Sequence, residues 1–314
     1  MSLLQRLASE DASIRRMALI ALADEAHEDS VPLLVKALQA DADAAVRAEA
    51  ARLLAHWETP EAVDALAHAL LDAAAEVHEA AGHSLAELKD ARLGERLLPW
   101  ASHDDPAVRS SALRALRELR LPAASASAAA ALSCSDATVR REAVGVLGWL
   151  KQTDALPALS RLVVDDPDAE VRRAATGALG MADGRPDAAL PALLAALRDE
   201  AWPVREEAAT TLAKLRQPAA QAALQAAMAD AFWQVRLRAA RALGRLKNAQ
   251  ALPVLQAALG HAIANLRKEA AIALGEIAHP AAVPALRTAA TDPDPEVRKA
   301  ARLALKALGE AVST

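Results

Sequence analysis

Residues 294–305 read DPEVRKAARLAL. Asp294 stands three residues before Val297, where a carboxylate caps the free N–H groups of a helix start. Glu296 lies beside the positive end of the helix dipole. Val297, Ala301, Leu305 and Leu308 fall at helical spacing and make one apolar stripe. The stretch predicts a turn that feeds a helix, with Arg298 directly after the first stripe residue.

The same pattern occurs ten times. Its first apolar residue is Ile14, Val46, Val77, Val108, Val139, Val171, Val204, Val235, Leu266 and Val297 in turn, at steps of 31 to 33 residues. Arg follows this anchor in nine copies, and His78 is the exception. Ala stands four residues after every anchor, and Leu eight after, from Leu22 to Leu305. A register held along the whole chain is the signature of a repeat architecture.

Each copy carries a second apolar stretch before its turn, such as VPLLVKALQA (31–40) and LPVLQAALG (252–260). Pro32, Pro157, Pro191, Pro253 and Pro284 stand near the starts of these stretches, where a helix tolerates proline. One repeat is therefore a first helix, a turn, a second helix and a turn, about twenty helices in all. The turn inside the repeat often carries two acids: Asp41 with Asp43, Asp166 with Asp168, Asp292 with Asp294. One is expected to cap the second helix, and the other to meet the Arg after an anchor, in its own or a neighbouring repeat. Loop 182–188, ADGRPDA, lies in the longest step and predicts an enlarged connection. Segment 125–133, SASAAAALS, predicts a first helix with little bulk to pack.

The Pro-x-Leu-x-x-Leu of the first helix, the turn acid, the Val-Arg anchor and the Ala-x-x-x-Leu run together resemble the HEAT-like repeats first described in phycobilin lyases. The resemblance covers almost the entire chain. It implies a right-handed α-solenoid, all-α, of about ten two-helix repeats, with residues 1–314 as one stack. It also implies that the second helices line the concave face. Such repeats serve scaffolds, transport adaptors, chaperones and a few enzymes, so the fold alone does not give the activity.

Composition agrees with short, closely packed helices: the chain is 54% hydrophobic, yet only 2% aromatic, with no Tyr. A net charge of −5 implies no global attraction to nucleic acid. Cys134, the only cysteine, excludes an intramolecular disulfide. No apolar run is long enough for a membrane span, and the N-terminus does not read as a signal peptide. The expected location is the cytoplasm.

Positions six and ten after each anchor are expected to face the groove. They read Ile20/Asp24, Arg52/His56, His83/Glu87, Arg114/Glu118, Gly145/Trp149, Gly177/Met181, Thr210/Lys214, Arg241/Arg245, Ile272/Glu276 and Leu303/Ala307. Trp149 and Met181, each with a glycine one turn earlier, predict an apolar ridge beside a shallow trough. Arg236, Arg238, Arg241, Arg245 and Lys247 predict a basic patch on repeat eight. Trp202 and Trp233 share a position at the turn edge, two residues before their anchors, with Phe232 beside them. His56, His83, Glu79 and Glu87 are of types that suit a transition metal. Their spacing is loose, however, and Arg52 lies alongside.

Some HEAT-like hydroxylases hold iron through four His-Glu pairs. This sequence has two such dipeptides, His27-Glu28 and His78-Glu79, and the first falls outside a second helix. No phosphate loop, dinucleotide fingerprint or nucleophile elbow is present. These readings predict a non-enzymatic scaffold without cofactor or metal. It would bind a protein partner in the groove through Trp149, Met181, Arg114, Glu118, Lys214, Arg238, Arg241 and Arg245, with Trp202 and Trp233 at the edge. The alternative is an accessory subunit that assists cofactor attachment or insertion, as the lyase resemblance would allow.

Overall fold

A computed structural model describes residues 2–25, 27–182 and 186–310, apart from the side chains of residues 28 and 186. Among these residues every regular element is helical, and no strand occurs. The chain divides into two units, residues 1–152 and 153–314.

In the first unit the helices are α1 (Leu3–Leu7), α2 (Ala12–Asp24), α3 (Val31–Ala40), α4 (Ala44–Leu54), α5 (Pro60–Ala69), α6 (Ala75–Ala86), α7 (Pro106–Leu119), α8 (Ser125–Ala131) and α9 (Ala137–Trp149). The second unit holds α10 (Leu156–Asp165), α11 (Ala169–Ala178), α12 (Pro186–Ala196), α13 (Trp202–Leu215), α14 (Gln221–Ala227), α15 (Trp233–Leu246), α16 (Leu252–Ala258), α17 (Ala264–Ile277), α18 (Val283–Ala289) and α19 (Pro295–Ala307). The second helices of the repeats are α2, α4, α6, α7 and α9 in the first unit, and α11, α13, α15, α17 and α19 in the other. Within each unit, successive second helices pack side by side.

All ten second helices begin two residues before their anchor. Nine anchors are buried; Ile14 is 36% exposed. The turn acids behave as local chemistry demands. Asp11, Asp43, Asp105, Asp136, Asp168 and Asp294 each accept a hydrogen bond from an N–H of the first turn. Ala74, Ala201, Phe232 and Ile263 replace the capping acid in four repeats and give no side-chain cap.

The other acid joins neighbouring repeats. Arg15 donates from Nε and Nη2 to both carboxylate oxygens of Asp41, each at 2.7 Å. Its Nη1 donates to the Ser9 and Glu10 carbonyls of its own turn. Arg47–Asp72, Arg172–Asp199, Arg205–Asp230 and Arg267–Asp292 repeat this geometry. Each of these five acids also accepts the backbone N–H two residues on, which closes the turn. The rung thus runs from the Arg of one repeat to the Asp of the next. These are bidentate, charge-assisted bonds in partly buried surroundings, the stronger kind of ion pair.

The first helices depart from expectation in three ways. Pro32, Pro157, Pro253 and Pro284 lie in a first turn, but Pro191 lies inside α12, which starts five residues earlier at Pro186. Repeat four has no first α-helix. It has two 3-10 segments, Ala91–Leu97 and Trp100–Ser102, separated at Leu98-Pro99. Pro99 has no N–H to continue a helix, and a side chain at Gly94 would meet Leu119 at 3.0 Å. Finally, α8, α14, α16 and α18 have only seven residues, each after a 3-10 turn. Of the expected loop 182–188, residues 183–185 lie outside the described residues.

Candidate protein-binding face

The helical period turns the anchor, the Ala and the Leu of each second helix into the core. Positions six and ten after the anchor then come out on the opposite side. Arg52, His56, His83, Glu87, Glu118 and Trp149 are exposed there in the first unit. Thr210, Lys214, Arg245, Ile272, Glu276 and Leu303 are exposed in the second.

Trp149 ends α9 and is 52% exposed. The Arg120 guanidinium lies 4.6 Å from its ring centroid. Met181 is 8% exposed, so it adds no ridge to the surface. The reason is local: α11 ends at Ala178, and a 3-10 turn over Leu179–Met181 carries the side chain inward. The glycines do not leave a trough. A Cβ at Gly145 would lie 2.9 Å from Arg117 Cδ, and one at Gly177 2.9 Å from Glu207 Oε1. Long side chains from the neighbouring helices already lie across both. Desolvation raises the Glu207 carboxyl pKa above its ordinary value; among the nearby charges, Arg173 and Arg238 oppose that rise and Glu206 adds to it.

Two of the five basic-patch residues are tied to acids of neighbouring helices. Arg241 makes a bidentate pair with buried Glu269, 2.8 Å on each arm. Arg238 donates to Glu206 at 2.9 Å. Arg114 pairs with buried Glu142 at 3.4 Å, and Glu118 with Arg117 at 2.9 Å. Among the described residues, Lys214 and the patch residues Arg236, Arg245 and Lys247 remain without an ion pair.

At the turn edge Trp202 stacks on Phe232, with centroids 5.4 Å apart and planes at 16°. Arg205 lies 5.7 Å from the Phe232 ring. Trp233 opens α15, one residue after Phe232, and is half-buried. His56 and His83 each hydrogen-bond a nearby backbone carbonyl through Nδ1, at 3.0 Å. No cluster of three or more His, Cys, Asp or Glu suited to a metal occurs among the described residues.

One feature of this face was not singled out by the sequence. Between α17 and α19 runs a cavity of about 370 Å³, lined by Ile272, Gly275, Ala300, Leu303 and Ala304. Lys268, Lys299, Glu276 and Glu296 border it. Leu303 is 60% exposed and Ile272 37%. The floor is low because Gly275 lets α19 come close. A Cβ there would stand 2.7 Å from the Ala304 Cβ. The available signal was two apolar residues at an outward position, Ile272 and Leu303, where most copies are polar or small.

The family model described as HEAT repeats matches residues 1–86, 94–180, 164–231 and 221–306. The chain belongs to the HEAT-repeat family. This match does not narrow it to the phycobilin-lyase type. No curated protein matches. Among solved structures, an engineered protein from the Northeast Structural Genomics Consortium is 25% identical with a TM-score of 0.57, covering 99% of this chain and 98% of its own. The structure titled for Kap95p binding to RanGDP in nuclear import complex assembly is 16% identical with a TM-score of 0.69. It matches over 98% of this chain, which spans 49% of that one, and at this identity the likeness shows the fold alone. The HEAT-repeat solenoid is a fold typical of protein-binding scaffolds. No helix among the described residues is long and apolar enough to cross a membrane.

Proposed function

We propose that this HEAT-repeat chain is a non-enzymatic scaffold that binds a protein partner on the face made by its second helices. One observation carries the reading: large apolar side chains on that face stand outside the helix packing. They are Trp149 in the first unit, and Ile272 with Leu303 in the second. Burial of a Trp or a pair of aliphatic side chains is the usual core of a protein interface, and charges at its border set registration. The α17–α19 groove has both parts, an apolar floor and two lysines and two glutamates around it. Arg238, Arg241 and Arg114, expected as partner contacts, are also held by acids of neighbouring helices.

The test is affinity capture of the native partner by the parent, Trp149→Ala and Leu303→Asp. Truncating a buried interface anchor commonly costs about 2 kcal/mol or more. Each variant should therefore capture the partner at least tenfold more weakly while its helical circular dichroism stays unchanged. Undiminished capture by both, with loss in Trp202→Ala or Phe232→Ala, would place the working surface at the turn edge instead.

A further inference from the structure

The Arg–Asp ladder has a rung whose arginine is unmatched. In the five rungs described above, the receiving acid stands five residues before the next anchor: Asp41, Asp72, Asp199, Asp230 and Asp292. In repeat nine that position is His261, and the arginine one repeat earlier is Arg236. Arg205 before it and Arg267 after it each make the complete set, two bonds to a carboxylate and two to turn carbonyls. Among the described residues, the Arg236 side chain makes none of them. Its Nε is shielded from solvent and meets no acceptor among the described residues. A shielded donor left unsatisfied costs about 1–3 kcal/mol, and more when charged.

Arg236 borders a cavity of about 260 Å³. His261 borders it too, and Met228, Val254, Ala258 and Leu266 give it apolar walls. His261 cannot replace the missing carboxylate. Its Nδ1 accepts the Ile263 N–H at 3.0 Å, so in the neutral ring the proton is on Nε2, a donor. Burial, Arg236 and Arg267 all hold its pKa below the ordinary histidine value, which keeps the ring neutral. The neighbouring acid, Asp230, is already engaged by Arg205. Gln225, whose Nε2 donates to the Gln250 carbonyl, also lines the recess. The recess therefore offers donors and apolar walls, and no carboxylate lines it.

We propose that this recess binds a carboxylate on a short aliphatic stem, with the Arg236 guanidinium taking the carboxylate as Arg205 and Arg267 take aspartate. The stem rests on Met228, Val254 and Leu266. A planar, bidentate anion is what the guanidinium fork matches best, and the walls select an apolar stem over a hydrated phosphate. The same chemistry is found in a small organic acid and in the C-terminus of a peptide ending in an aliphatic residue. The site lies apart from the second-helix face and does not rest on the function proposed above.

Titration of the full chain by NMR separates these sources. The probes are isovalerate, an N-acetylated peptide ending in valine, isovaleramide and inorganic phosphate. Saturable binding of isovalerate, of the peptide, or of both is expected, and which one binds identifies the source. Isovaleramide and phosphate should not bind. Arg236→Met removes the fork, and His261→Asp supplies an internal carboxylate that completes the rung. Each should weaken carboxylate binding at least tenfold, and His261→Asp should also raise thermal stability, which shows that the loss is not unfolding. The proposal is overturned if neither carboxylate saturates in the millimolar range. It is equally overturned if the amide or phosphate binds as well, or if either variant binds like the parent.

Discussion

Among the described residues, five other than glycine have left-handed backbones: Arg120, Lys151, Arg216, Lys247 and Ala278, with φ between 50° and 54°. All stand twelve residues after an anchor, at the end of a second helix, and in repeat ten that position is Gly309, φ 78°. The left-handed region costs an L-residue about 1–2 kcal/mol. Glycine escapes that cost but loses more chain entropy on folding, about 0.5–1 kcal/mol. Strain costs more than the lost entropy, so glycine should win where the side chain does nothing else. Ala278 is the clean case, because it is exposed and only a methyl is lost. Ala278→Gly should raise the unfolding free energy by about 0.5–1 kcal/mol in urea titration. No gain would mean that the strain is already relaxed. Arg120 differs, since its cation–π contact with Trp149 is worth about 0.5–1 kcal/mol and would go with the side chain.

Between elements, spacing is set by what one helix allows the next to approach. Gly244 and Gly275 both stand nine residues after an anchor, and both face an alanine of the following second helix, Ala273 and Ala304. Alanine is the better helix former by about 1 kcal/mol. Yet a methyl at 275 would stand 2.7 Å from one carbon of Ala304 and 2.9 Å from another, and overpacking costs about 1–3 kcal/mol. Packing should outweigh propensity. Gly275→Ala is expected to destabilise the protein, with a lower urea midpoint at unchanged m-value; a stabilised variant would show that α19 yields at little cost. The helix starts were legible because the capping Asp, the Val-Arg anchor and the Leu stripe act within one turn. The ion pairs Arg114–Glu142 and Arg241–Glu269 were not, since each joins side chains 28 residues apart on different helices. That shared step was their only sequence trace. The burial of Met181 was hidden for a similar reason: a helix continued by pattern ends three residues earlier in fact.

Across the whole molecule, stability in a repeat protein is close to a sum of repeats and nearest-neighbour interfaces, so a bond copied at many interfaces acts in proportion. The ladder is such a bond. The Arg47 and Arg267 hydrogen bonds hold the Asp72 and Asp292 carboxyls below the ordinary value. At Asp41, Asp199 and Asp230 burial pushes the carboxyl up, but the arginine and backbone hydrogen bonds outweigh it, and these groups too are lowered. The sign follows directly. Below the unfolded value, about 3.9, the unfolded chain binds more protons than the folded one. Stability from the ladder is therefore complete well above that value and is lost as pH falls through the depressed folded values. Each carboxylate adds up to about 1.4 kcal/mol per pH unit to the slope in that window. Asp72→Asn with Asp292→Asn removes two of these rungs. This variant should be less stable than the parent near neutral pH, and the gap in unfolding free energy should close as pH falls below about 4. Urea titrations across that range measure the gap. A gap of constant size would show that these carboxylates contribute packing and turn geometry, with no share from their charge.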